Sequence, residues 1–88
     1  MLSQTNIDAV RQCAYDAREA LLSAGIASSD QARRQLRHYA AIRLATGRNL
    51  LATITGDDAV RADGPSGLMQ SLARHVLADA RAKRESFH

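Results

Sequence analysis

The sequence has few of the residues that give a small protein its chemistry. Cys13 is the only cysteine, which excludes an intramolecular disulfide bond and a CxxC metal or redox motif. Tryptophan is absent, and the aromatic residues are Tyr15, Tyr39 and Phe87. No apolar run approaches the roughly 20 residues that a membrane-spanning helix needs, and the first residues do not resemble a signal peptide. We therefore expect a cytoplasmic protein that does not enter a membrane.

The histidines, acids and thiol do not form a recognisable reactive set. His75 and Asp79 lie four residues apart on one predicted helix, which is half of a metal site at most, so we interpret them as a surface ion pair. Cys13 borders apolar positions, and its charged neighbour is Asp16 rather than a cation, as is typical of a buried and unreactive thiol. The sequence thus predicts no enzyme, no metal site, no cofactor and no small-molecule substrate.

The first predicted helix covers about residues 5–24. Apolar residues recur there at spacings of three and four from Ile7 to Ala24, which is the periodicity of an amphipathic helix. Thr5 fits the N-cap position, and Gly25 fits the position that follows the last helical residue.

Two further helices are predicted at about residues 29–46 and 66–85. Gly47 would end the second helix, and the short connection between the first two helices predicts an antiparallel hairpin. One or two short helical turns would lie between the second and last helices. The sequence therefore predicts a single all-α domain over residues 1–88, a small bundle of three main helices. The residues expected to be most buried are Val10, Ala14, Leu21, Leu36, Ala40, Leu72 and Val76.

A second apolar stripe on the first helix predicts a surface for a partner. Tyr15 and Leu22 lie seven residues apart, about 100° away from the Ile7–Ala24 series, where a monomer would leave them exposed. Arg11 and Arg18 flank them, giving the apolar centre and charged rim of a contact surface. We expect this stripe to bind a protein partner or a second copy of the chain.

The second predicted helix concentrates positive charge. Residues 31–48 carry five arginines and no acid, although the whole chain has a net charge of only +3. An arginine-rich helix can contact phosphates, or its arginines can be solvated and paired with acids of the first helix. The residues concerned are Arg33, Arg34, Arg37 and Arg48.

Arg43 differs from these four because it falls on the apolar face of the second helix. Near the helix end its guanidinium can reach water along a buried stem. The alternative is a buried or half-buried ion pair with an acid such as Asp16, Glu19, Asp57 or Asp58, because an unpaired buried charge is very costly.

Together these features predict a small binding or regulatory protein that acts through protein–protein contacts as a homodimer. The arginine-rich, alanine-rich and lysine-poor composition resembles that of small accessory proteins from bacterial or phage genomes that modulate a host protein. The alternative is a small nucleic-acid-binding regulator that uses the arginines of the second helix.

Overall fold

A computed structural model describes residues 2–86 and consists of three helices, α1 (Gln4–Ile26), α2 (Asp30–Thr55) and α3 (Pro65–Glu85). No strand occurs among these residues, so the predicted all-α class and three-helix bundle are confirmed. Phe87 lies outside the described range. The molecule is elongated, with principal extents of 58 × 20 × 18 Å. None of the helices within residues 2–86 combines the length and the apolar character that crossing a bilayer requires.

Helix α1 is longer at both ends than the sequence predicted. Its N-cap is Ser3, whose Oγ accepts a hydrogen bond from the backbone N–H of Asn6 at 3.1 Å, so the prediction of Thr5 as the cap is wrong. Thr5 lies instead in the first helical turn. Gly25 does not end the helix either, because α1 continues to Ile26 and is capped at Ala27.

Helix α2 does not end at Gly47, which corrects the predicted boundary at residue 46. It continues to Thr55 and ends at Gly56, whose φ of +70° is the left-handed conformation that glycine adopts without strain. The predicted short helical turns are therefore wrong, because residues 48–55 belong to α2 and residues 56–64 form an irregular connection.

Gly47 serves the packing of the bundle rather than a helix end. A Cβ at this position would lie 2.7 Å from Leu68 Cδ2 and 2.9 Å from Cys13 Cβ, both too close for carbon atoms. Because glycine has no Cβ, α1 and α3 can both approach the backbone of α2 here.

Helices α1 and α2 form an antiparallel hairpin with small residues at its interface. Ala17, Ala20 and Ala40 form a cluster between the two helices, and each is at most 5% exposed. Small side chains at a helix contact allow the two axes to approach closely. This half of the hairpin therefore has a narrow core of two helices.

Helix α3 covers only the other half of the hairpin. Leu68 and Leu72 are buried in a cluster with Val10 and Leu51. The C-terminal half of α3 is mostly exposed, and Leu77 is 59% exposed. The core therefore lies where three helices meet, and we call the part without α3 the hairpin tip (residues 15–43).

The extent of α3 explains one wrong prediction about the core. Among the residues expected to be buried, Val10, Ala14, Ala40 and Leu72 are buried, Leu36 and Val76 are partly buried, and Leu21 is 40% exposed. Helix α3 begins beside Ala14 and runs away from the tip, so no third helix covers Leu21.

Candidate interaction surfaces

The outer face of α1 carries an apolar stripe. Tyr15, Leu22 and Ile26 are 54%, 56% and 88% exposed. At about 100° per residue they fall within about 40° of one another, and roughly 170° away from the alanines that pack on α2. We call these three residues the outer stripe; it points directly away from the hairpin interface.

The two edges of the outer stripe carry opposite charge. Arg11 and Arg18 follow one edge, and Asp8 and Glu19 follow the other, on the same helical projection. Arg11 Nη1 lies 3.6 Å from Asp8 Oδ1, and both side chains are more than half exposed. Arg18 and Glu19 are exposed, and neither has an ion-pair partner among residues 2–86.

A shallow groove separates the outer stripe from the start of α3. It has a volume of about 260 Å³, and its wall on the α3 side consists of Pro65, Ser66 and Met69. Its α1 side consists of Arg11, Ala14, Tyr15 and Arg18. The structure thus brings three of the four predicted partner-binding residues to one groove, while Leu22 lies two turns farther along the stripe than Tyr15.

Sequence reasoning missed several members of this surface. The predicted helices at about residues 5–24 and 29–46 place Ile26 in the connection between them, although it is the most exposed large apolar residue of the described chain. Its spacing of four from Leu22 continues the stripe and could have identified it. Pro65 and Met69 carry no sequence signal for the groove, because only the docking of α3 brings them to α1.

Within residues 2–86, Arg33, Arg34, Arg37 and Arg48 of α2 do not pair with the acids of α1. Arg33 binds Asp30 of its own helix at 2.8 Å and donates to the carbonyl oxygen of Ala27 at 3.1 Å, so it braces the hairpin connection. Within residues 2–86, Arg34 and Arg37 are exposed and have no acidic partner.

Arg48 is also exposed, and its Nη1 donates to Asn49 Oδ1 at 3.2 Å. Arg34, Arg37 and Arg48 fall within about 60° on the surface of α2. We call these three residues the arginine ridge. The interpretation that acids of the first helix neutralise these arginines is wrong for all three.

Arg43 lies in a half-buried ion pair with Asp16. Its Nη2 is 3.1 Å from Asp16 Oδ2, and the two side chains are 28% and 24% exposed. The Nε of Arg43 is buried and has no hydrogen-bond partner. The ion pair therefore connects α1 to α2 at the base of the tip, but removing the two charged groups from water costs part of the free energy that their attraction gains.

Cys13 is buried and close to this ion pair. Burial raises the pKa of its thiol, which outweighs the opposing effect of the Arg43 guanidinium. The expectation that Cys13 has no cation nearby is therefore wrong, because the cation comes from α2. A thiol with a raised pKa is a poor nucleophile at neutral pH.

His75 pairs with an acid of the interhelical connection rather than with Asp79. His75 Nε2 lies 2.9 Å from Asp57 Oδ2, and Asp79 binds Lys83 at 3.3 Å, so the predicted His75–Asp79 pair is wrong. Hydrogen bonds from the Ala59 N–H and from His75 lower the pKa of Asp57. This contact holds the 56–64 connection against α3, and residues 2–86 contain no group of three ligands for a metal ion.

Comparisons with models of protein families, with curated proteins and with solved structures give no match to this chain. Its function must therefore be argued from its two distinctive surfaces, the outer stripe and the arginine ridge.

Proposed function

We propose that this protein is a small binding or regulatory protein of the cytoplasm that acts through protein–protein contacts, and that it associates with itself through the outer stripe. The observation that carries the proposal is the location of the exposed apolar side chains. Among residues 2–86, every large apolar residue exposed by 40% or more lies in the hairpin tip, apart from Leu77.

The tip exposes these large apolar side chains because only two helices form its core. A pair of helices buries only one face of each helix. Helix α3 packs against the pair, and buries a further face, only near Leu68 and Leu72. A small chain gains stability when a partner removes further apolar area from water. Apolar residues with charged edges, including Tyr and Arg, are the typical composition of a contact surface.

Sedimentation velocity across micromolar concentrations tests this proposal. We expect the wild type to form a dimer and Tyr15→Asp with Leu22→Asp to remain monomeric with unchanged helix content by circular dichroism. The matched control is Tyr39→Asp with Ile42→Asp, since these side chains are 46% and 49% exposed on another face of the tip. A monomeric wild type would contradict the proposed self-association.

Nucleic-acid binding is a second candidate, favoured by the arginine ridge. Three guanidinium groups without acidic partners lie on one exposed face of α2, and each can contact a phosphate. Lysine is nearly absent. Tyr39 lies between Arg37 and Arg48 in the sequence, but it falls on the opposite side of α2, at least about 140° from each arginine of the ridge, so it is not placed to stack on a base bound there. We therefore rank this function below protein binding.

A fluorescence anisotropy titration with duplex and single-stranded oligonucleotides distinguishes the two functions. We expect only weak, sequence-independent binding at physiological salt, of the order of 10⁻⁴–10⁻⁶ M. Submicromolar binding that Arg34→Ala with Arg37→Ala abolishes, while Arg74→Ala with Arg81→Ala does not, would reverse the ranking. The latter pair removes the same charge from α3.

A further inference from the structure

We propose that the occupant of the outer stripe is a second copy in parallel orientation, related by a twofold axis along α1, with Arg18 of one copy beside Glu19 of the other. The proposal rests on the self-association proposed above. It adds the orientation of the two chains and the charged pair that selects it.

The orientation follows from the unlike edges of the stripe. When two identical helices pack in parallel, the left edge of one meets the right edge of the other, as at the e and g positions of a coiled coil. Arg18 then faces Glu19 of the second copy, and Arg11 faces the edge that contains Asp8. The twofold axis forms each of these contacts twice.

An antiparallel pair would bring like edges together. The edge with Arg11 and Arg18 would then face the same edge of the second copy, and the edge with Asp8 and Glu19 would face its own counterpart, which is destabilising. Because Arg18 and Glu19 have no ion-pair partners within residues 2–86, both are available for a contact between chains.

The fold leaves space for a helix along this face. Helix α2 packs on the opposite side of α1, through Ala17 and Ala20. Helix α3 lies to one side, where Pro65 and Met69 form the far wall of the groove beside Tyr15. A second α1 over the stripe would therefore meet no other element of the first copy at its centre.

Charge reversal tests the predicted pair, with the dimer dissociation constant measured by sedimentation equilibrium. Arg18→Glu alone or Glu19→Arg alone should weaken the dimer by about three- to tenfold, because each makes two symmetry-related pairs repulsive. The double variant restores opposite charges and should return to the wild-type constant. Arg74→Glu, on α3 away from the stripe, is the control for a change in net charge.

Cross-linking tests the orientation independently. In the proposed parallel dimer Leu22 faces Leu22 of the second copy. Leu22→Cys should therefore oxidise to a covalent dimer, because equivalent residues at the centre of a parallel helix pair approach closely enough for a disulfide. Ile42→Cys is the control, and the buried Cys13 should remain reduced in both proteins.

Three results are possible, and each decides a different question. Cross-linking at residue 22 together with rescue by the double charge variant supports the parallel dimer. A wild-type dimer that neither cross-links at residue 22 nor responds to Arg18→Glu overturns the parallel orientation and leaves the proposed self-association intact. A wild type that sediments as a monomer overturns both.

Discussion

Gly47→Ala tests the close packing of the three helices. At an exposed position within a helix, replacing glycine by alanine stabilises the folded protein, because alanine favours the helix by about 1 kcal/mol relative to glycine. At residue 47 the added methyl group would lie 2.7 Å from Leu68 Cδ2 and 2.9 Å from Cys13 Cβ. The Leu68 methyl group can rotate away, but Cys13 Cβ is attached to the backbone of α1, so the helices must separate.

The expected change in the free energy of unfolding for Gly47→Ala combines the gain in helix propensity with the cost of overpacking. Overpacking a core costs about 1–3 kcal/mol, which exceeds or cancels the gain in propensity. Gly25→Ala is the matched control, because Gly25 also lies within a helix and has no atom within 4 Å of the added Cβ. It should stabilise by about 0.5–1 kcal/mol. The Gly47→Ala protein should therefore be about 1–3 kcal/mol less stable than the Gly25→Ala protein.

Thermal unfolding followed by circular dichroism measures the difference. For a domain of this size 1 kcal/mol corresponds to about 4–8 °C in Tm. If Gly47→Ala raised Tm as much as Gly25→Ala does, the close contact of Gly47 with α1 and α3 would be refuted.

Other substitutions test the core, the ion pair and the interhelical connection. In urea unfolding, Leu72→Ala should lower the free energy of unfolding by about 2–5 kcal/mol. Leu21→Ala should lower it clearly less, because Leu21 is already 40% exposed. Equal losses would contradict the finding that α3 does not reach Leu21. Asp16→Asn should destabilise by about 1–2 kcal/mol because it leaves Arg43 half-buried without an acid, and adding Arg43→Met should restore part of the loss. Asp57 has a lowered pKa in the folded chain, so its stabilising contribution is present above its ordinary value of 3.8 and is lost as pH falls below it. The difference in Tm between wild type and Asp57→Asn should therefore shrink between pH 5 and pH 2, and a constant difference would contradict this assignment.

The all-α class and the three main helices follow from local patterns in the sequence. Local periodicity is sufficient for that, because a repeat of three and four residues fits only a helix with one buried face. The same periodicity identified the outer stripe at Tyr15 and Leu22, since their positions on α1 depend only on helix geometry. Short-range patterns thus defined both the hairpin and part of the candidate surface.

Other features depend on how far one helix extends along another, and these follow only from the packing of the three helices. The role of Gly47 could not be read locally, because a glycine that ends a helix and a glycine at a close contact look the same in sequence. Leu21 belongs to a series that predicts burial, but it is exposed because α3 begins beside Ala14 and runs away from the tip. The partner of Arg43 was likewise one of four candidate acids until the register of α1 on α2 selected Asp16. In each case the answer depends on contacts between residues distant in sequence, which local periodicity does not encode.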